Sequence, residues 1–259
     1  IKSGVPTITT SLRGLVDGVI VVDQQMEPVH SGLGGGVVPD AFMILSRIIS
    51  SFHNDKGELL IEGLTPTEQD VFELSDEFVK SSLSSKGVEL FEMESYSKRL
   101  WLEPALSILA IDAPPVAESV NLLIPKAKAK VSLRLPPTED PDHAMNMLEK
   151  HIKENTPFNA NVNFIPEAKG KGILVDPKNE FSSKLIESFN KNWDNEVAYM
   201  GVGGSIPFAN VFINEFPNSE IVLVGAGDEE GNAHAPNESV NIDDIKRLIA
   251  SLTDALSNY

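Results

Sequence analysis

Two side chains in the first half of the sequence could act on a polar ligand. His30 lies beside the glycine-rich stretch 31–36, where a backbone without side chains can approach a ligand closely, and its imidazole could donate a hydrogen bond to a developing oxyanion. Arg134 ends a strand on its polar face, where its guanidinium could clamp a carboxylate through two parallel hydrogen bonds. From the residues alone, a histidine in a surface turn and a solvated strand arginine remain the simpler interpretations.

Two more candidates follow predicted strands in the second half. Gly204 and Ser205 precede a helix, where free backbone N–H groups and a hydroxyl could bind an anion such as a carboxylate; Ser205 could equally be an ordinary N-cap. His234 lies in a polar loop, where a neutral imidazole could bind zinc or manganese. Spacing alone favours an exposed loop histidine, because no second histidine stands at a metal-ligand spacing from it.

Composition excludes several kinds of protein. The 259 residues are 41% hydrophobic and carry a formal net charge of −17, which favours a globular chain of two domains and argues against nucleic acids and anionic membrane surfaces as partners. Because there is no cysteine, any metal must be held by His, Asp or Glu. The chain has no apolar run of membrane-spanning length and no signal-peptide pattern, so we expect a cytoplasmic protein. It begins with Ile1 rather than Met, and we expect that this is not the native start.

The elements up to residue 168 predict an α+β domain. Alternating and β-branched residues predict strands, and apolar residues at helical spacing predict helices on one face of a mainly antiparallel sheet. The predicted elements are strands 6–13, 18–23, 127–135 and 161–165, and helices 41–53, 68–81 and 140–154.

The elements after residue 169 predict an α/β arrangement. Helices and short strands alternate as in an open parallel sheet, which binds ligands at the carboxyl ends of its strands, where Ser205 and His234 fall. The predicted elements are helices 179–193, 206–215 and 243–257, and strands 197–199 and 221–224.

Five blocks of the sequence closely resemble, in order, successive blocks of a known family. They are GVPTITTSLRGL, HSGLGGGVVP, AKVSLRLPP, GVGGSIP and NAHAPNE. The family is that of the dizinc metallopeptidases, which includes carnosine dipeptidases, aminoacylases, carboxypeptidase G, acetylornithine deacetylases and succinyl-diaminopimelate desuccinylases; the dipeptidase branch is the most similar. The resemblance implies that residues 1–7 end a first zinc-domain segment, that 8–168 form an inserted lid or dimerisation domain, and that 169–259 form the C-terminal part of the metal-binding catalytic domain.

The resemblance also implies roles for the candidate residues. His234 matches the final metal-ligating histidine, and His30 matches the lid histidine that polarises the scissile carbonyl in the partner subunit's active site. Arg134, with Gly204 and Ser205, matches the groups that hold the substrate carboxylate. Two zinc ions, or manganese or cobalt, and a homodimer through the lid are implied as well. The family's other metal ligands and its general base lie upstream of the matching segment, so we expect this chain alone to be inactive.

One departure leaves the substrate open. In the dipeptidase branch a histidine often follows the aspartate near the second domain boundary, whereas here residues 176–180 contain none. Hydrolysis of a peptide or N-acyl amide bond is the function that the resemblance implies. The alternatives are an N-acyl amino acid deacylase or desuccinylase and a non-catalytic dimerisation or binding module.

Overall fold

A computed structural model describes residues 2–83, 87–204, 206–216, 218–228, 230–233 and 235–259, apart from the side chains of residues 81–83 and 207. The chain forms two compact units. The first unit comprises Ile1–Arg13, Glu68–Leu102 and Ile173–Tyr259, and the second comprises Gly14–Thr67 and Glu103–Gly172.

Over the described residues the chain forms nine strands and eight helices. In chain order they are β1 (Thr7–Leu12), β2 (Gly14–Asp23), β3 (Val29–His30), α1 (Ser31–Gly34), α2 (Ala41–Ser50), α3 (Asp76–Leu83), α4 (Tyr96–Trp101), β4 (Ala105–Asp112), β5 (Leu122–Leu123), β6 (Lys126–Leu135), α5 (Pro141–Glu154), β7 (Val162–Gly170), β8 (Ile173–Leu174), α6 (Glu180–Asn192), β9 (Ala198–Val202), α7 (Pro207–Glu215) and α8 (Ile242–Ser257). None of the helices within the described ranges is long and apolar enough to cross a membrane.

The second unit is an antiparallel sheet with helices on one face, as the sequence predicts. Its strands lie in the order β4-β6-β2-β7, and every neighbouring pair is antiparallel. Every second residue of β2 is buried, and these residues share one core with the apolar faces of α2 and α5. The alternating pattern of β2 and β6 therefore divides the sheet into a helix-covered face and a face that carries polar side chains.

The helices α2 and α5 of the second unit begin at side-chain caps. The Asp40 side chain accepts a hydrogen bond from the Met43 N–H at 2.9 Å and so caps α2. Asp140 caps α5 in the same way, and Pro141 occupies the first turn, where a missing N–H costs nothing. Strands β3 and β5 form a separate two-stranded sheet.

The first unit contains a three-stranded sheet in the order β8-β1-β9. Strand β1 is parallel to β9 and antiparallel to β8. Ile8 of β1 packs with Leu185 and Phe189 of α6 and with Ala255 of α8. The parallel pair and its covering helices confirm the α/β class of this part.

Three predicted details of secondary structure differ from the fold. Residues 221–224 form no regular strand in the described structure; Leu223 makes a single bridge to Thr9. The helix predicted at 68–81 begins only at Asp76, because residue 72 instead donates its backbone N–H to the Tyr199 carbonyl at 2.8 Å. Strand β4, which pairs with β6, lies in a stretch for which no strand was predicted.

The observed units also differ from the division predicted at residues 8 and 168. Residues 68–102 belong to the first unit rather than to the lid. The reason is a small core in which Leu74, Val79, Trp101 and Leu102 are buried and Met200 of β9 packs against them. This segment of the chain is buried against β9.

Candidate functional site

His30 is an exposed side chain on a short projecting element. Its backbone pairs with Leu122 in the small sheet of β3 and β5, and its side chain caps the single turn of α1. The Gly32 N–H donates to Nδ1 of the ring at 3.0 Å. Because Nδ1 accepts this bond, the proton of the neutral ring lies on Nε2. The free end of the ring is therefore a hydrogen-bond donor.

The glycine at position 32 fits closely under this ring. A Cβ atom there would lie 3.2 Å from both Cε1 and Nδ1 of His30, which is tighter than ordinary van der Waals contact. The absence of a side chain lets the backbone N–H reach the ring, so Gly32 fixes both the orientation and the tautomer of His30.

Arg134 is held in the middle of paired backbone. It pairs with Leu15 of β2 on one side and with Ala105 of β4 on the other, and its side chain is partly buried on the face away from the helices. Among the described residues, none forms an ion pair or a hydrogen bond with its guanidinium. A fixed backbone and an unpaired guanidinium suit the capture of a carboxylate.

His30 and Arg134 lie in different sheets of the second unit, His30 in the two-stranded sheet and Arg134 in the four-stranded one. Lys126 pairs with Asp23 at one end, and Leu122, the partner of His30, precedes Lys126 by only four residues. Arg134 follows Lys126 by eight residues along β6, which corresponds to about 26 Å of strand. Both candidates lie in one unit, but the structure does not bring them together.

Gly204 belongs to the loop that follows β9 in the first unit. The buried Arg13 side chain holds this loop, because its Nε donates to the Gly203 carbonyl at 3.2 Å. A Cβ atom at Gly204 would meet nothing within 4 Å, whereas one at Gly201 would lie 2.3 Å from the Trp101 Cβ. The loop is thus closely packed at its start and open at Gly204.

Ser205 and His234 lie outside the described residues, so their predicted roles stay predictions. The described neighbours of His234 form successive turns. Asn232 has a positive φ of 48° and accepts from the Ala235 N–H at 2.9 Å, and Gly231 accepts from the Ser239 N–H at 2.9 Å. These bonds define a compact loop after residue 224.

A metal centre is not assembled by the side chains that the structure describes. Within the described ranges, no group of three or more His, Asp or Glu residues comes together in a metal-binding arrangement. These residues therefore do not by themselves fit the predicted pair of zinc ions.

Arg13 is a functional candidate that the sequence reasoning missed. It lies within the first of the five blocks that resemble the family. Nothing in its local pattern indicates burial, since an arginine at the end of a strand is ordinarily solvated. Only its carbonyl partner, residue 203, which is 190 positions away, reveals that it supports the glycine loop.

Comparison with known proteins identifies the family. Residues 10–160 match the model of the peptidase dimerisation domain, M20_dimer. This chain belongs to the M20 family of metallopeptidases, and its relatives are those of the dipeptidase branch.

Two of the similar proteins with curated names are dipeptidases. The cysteinylglycine-S-conjugate dipeptidase of Corynebacterium striatum is 30% identical over 265 residues, which cover 99% of this chain and 57% of that protein. The Cys-Gly metallodipeptidase DUG1 of Saccharomyces cerevisiae is 26% identical, with coverage of 98% and 56%. The chain thus spans about half the length of these relatives.

Solved structures support the fold. The di-peptidase Dug1p of Saccharomyces cerevisiae superposes with a TM-score of 0.80 at 22% identity, covering 100% of this chain and 57% of that one. Human carnosine dipeptidase 1 gives a TM-score of 0.69 at 19% identity, with coverage of 99% and 58%.

Proposed function

We propose that this chain forms part of a metal-dependent dipeptidase that hydrolyses dipeptides with a free C-terminal carboxylate. Cysteinylglycine and its S-conjugates are the first substrates to test, because the names of two relatives specify them. The observation that carries the proposal is the pair of His30 and Arg134, two oriented groups of the second unit suited to the scissile carbonyl and to the C-terminal carboxylate of a dipeptide.

His30 would stabilise the oxyanion of the tetrahedral intermediate. Its Nδ1 accepts from the Gly32 N–H, so the neutral ring offers an Nε2–H donor without any rearrangement. A donor that is already oriented when charge develops on the scissile carbonyl lowers the barrier of the chemical step.

The length of β6 supports a role for His30 and Arg134 of one chain in different active sites. An extended dipeptide is only about 7 Å long, whereas about 26 Å of strand separates Arg134 from Lys126, at the end of β6 that follows the small sheet of His30. If both residues contact one substrate, they must come from two chains. The matched dimerisation-domain model supports this arrangement.

The surroundings of His30 are also suited to a subunit contact. Leu33 and Val37 are each 84% exposed, and Leu122 is 41% exposed. Large apolar side chains clustered on a projecting loop are typical of protein interfaces. Contact with a second copy would bury them and carry His30 into the partner's site.

Arg134 and the loop at Gly204 and Ser205 would hold the substrate carboxylate. The guanidinium supplies a paired, planar set of donors, and the loop after β9 supplies backbone N–H groups. His234 would be one metal ligand, joined by ligands that are not among the described residues. The metal centre would supply an activated water for hydrolysis.

The test uses the complete enzyme, a protein of the relatives' length that contains this sequence, loaded with zinc or manganese. We expect hydrolysis of Cys-Gly, loss of activity when a chelator removes the metal, and much slower cleavage of the C-terminally amidated peptide. Hydrolysis of N-acetyl amino acids in preference to dipeptides would contradict the proposal, and so would full activity after metal removal.

A further inference from the structure

A second charged group lies next to Arg134 on the face of the sheet opposite α2 and α5. Directly paired residues of antiparallel strands share a face, and Asp17 of β2 pairs with Ser132, two residues before Arg134. Asp17 and Arg134 are therefore diagonal neighbours, at positions that are typically about 7–8 Å apart. Leu15, which pairs directly with Arg134, adjoins both of them.

One oxygen of the Asp17 carboxylate lacks a hydrogen-bond donor among the described residues. Its Oδ1 atom is buried and has no partner, and a carboxylate oxygen that has lost water without gaining a donor is costly. The residue as a whole is only partly buried, so a cation could bind at the accessible part of the carboxylate and stabilise its charge.

The neighbouring lysine on this face is already paired with another acid. Nζ of Lys130 lies 2.7 Å from Oε2 of Glu167, and this hydrogen bond is the main reason why the pKa of Lys130 is raised, with a smaller contribution from the charge of Asp17. Because Glu167 balances Lys130, Asp17 keeps its negative charge beside the positive charge of Arg134.

We propose that Asp17 determines specificity for the C-terminal residue of the substrate, selecting dipeptides whose C-terminal side chain is a cation, as in lysine or arginine. This inference rests on the proposed function, because it takes Arg134 as the partner of the substrate carboxylate. From that carboxylate a lysyl side chain would run along Leu15 and bring its ammonium group to Asp17. The two charges of an extended lysine match a pair of opposite charges one diagonal step apart on a sheet.

The experiment compares the dipeptides Ala-Lys and Ala-Met, whose C-terminal side chains are similar in length and differ in charge. The complete, zinc-loaded enzyme should favour Ala-Lys in kcat/KM by roughly fivefold, the effect of a well-placed but partly exposed ion pair. In Asp17→Asn, which keeps the shape of the side chain, the preference should vanish through a higher KM for Ala-Lys. Asp17→Lys should instead favour Ala-Glu.

Asp23→Asn is the matched control. Asp23 lies on the same face of β2 but at the far end of the sheet, where it pairs with Lys126 at 2.9 Å, so this variant should keep the preference for Ala-Lys. Equal cleavage of both peptides by the wild-type enzyme would overturn the inference, as would a preference that survives in Asp17→Asn. Cleavage of Cys-Gly but of neither of these peptides would overturn the inference alone, whereas failure to cleave Cys-Gly as well would overturn the proposed function with it.

Discussion

Two parts of the second unit hold their candidate site residues in different ways. Arg134 lies within a strand that is paired on both sides, so its position follows from the backbone ladder. His30 lies on a two-residue strand and a one-turn helix, and its ring is fixed by a single N–H from Gly32. A strand paired on both sides suits a side chain that acts in the site of its own chain. A short exposed segment suits a side chain that contacts the site of a partner chain.

The largest effect on activity is expected from substitution of His30. His30→Ala in the complete enzyme should lower kcat by about a hundred- to a thousandfold, because a donor to the oxyanion acts in the transition state. KM should change little. Steady-state kinetics with Cys-Gly would measure this, and a variant with normal kcat and a raised KM would contradict the assigned role.

Arg134 should show the opposite kinetic pattern. Arg134→Ala should raise KM for free dipeptides by about ten- to a hundredfold, since it removes hydrogen bonds to a charged group, and should matter much less for amidated peptides. Arg134→Lys should restore only part of the affinity, because an ammonium cannot make two parallel bonds. Full rescue by lysine would argue against a bidentate contact.

Tight packing of the loop after β9 is a third way of positioning a candidate site residue. Two glycine substitutions in this loop test it. Gly201→Ala would drive a Cβ to within 2.3 Å of Trp101 and should lower the free energy of unfolding by about 1–3 kcal/mol. Gly204→Ala, which meets nothing within 4 Å, is the control and should change stability by less than about 0.5 kcal/mol. Chemical denaturation would measure both, and equal effects would contradict the described packing.

The smallest effect concerns the helix layer behind the sheet. His151 stacks on Phe52, and its Nε2 lies 3.1 Å from the Ser51 carbonyl. Burial lowers the pKa of His151 below its usual 6.5, against weaker opposing effects of the Ser51 carbonyl, Glu154 and Glu62. The folded state therefore binds fewer protons here than the unfolded state, and the free energy of unfolding should fall as the pH drops below 6.5.

His151→Gln separates this effect from other titrations. The substitution removes the ionisable ring, so the decrease in stability between pH 7 and pH 5 should become smaller than in the wild-type protein. Urea denaturation at the two pH values gives the comparison. An unchanged difference would mean that His151 does not couple the fold to pH.

Much of the second unit could be predicted from sequence, because its signals are local. The alternation of β6 and the caps at Asp40 and Asp140 each lie within one element, and each matches the structure. Strand β4 was missed because its sequence lacks a regular alternation and its pairing depends on β6. Residues 221–224 were predicted as a strand because they are apolar and β-branched, but in the described structure only Leu223 forms a bridge.

Candidate site residues could be named from the sequence, but their geometry could not. Resemblance drew attention to His30 and Arg134, yet neither the ring tautomer of His30 nor the length of strand between the two can be read from a motif. The role of Arg13 follows from its hydrogen bond to the Gly203 carbonyl, which is distant in sequence. The interest of Asp17 follows from the lack of a partner for its Oδ1 atom, which only the folded chain reveals. Long-range register, which sequence patterns do not encode, supplied these features.

The central claim is that His30 and Arg134 of one chain serve different active sites, and subunit exchange between two impaired variants tests it most directly. His30→Ala protein would be mixed with Arg134→Ala protein, exchanged, and assayed at a Cys-Gly concentration well below KM, where both variants are nearly inactive. If His30 acts in the partner's site, half of the dimers are mixed and each has one intact site, so activity should recover to about one quarter of the wild-type value. No recovery after confirmed exchange would mean that each chain uses its own His30, which would contradict the account.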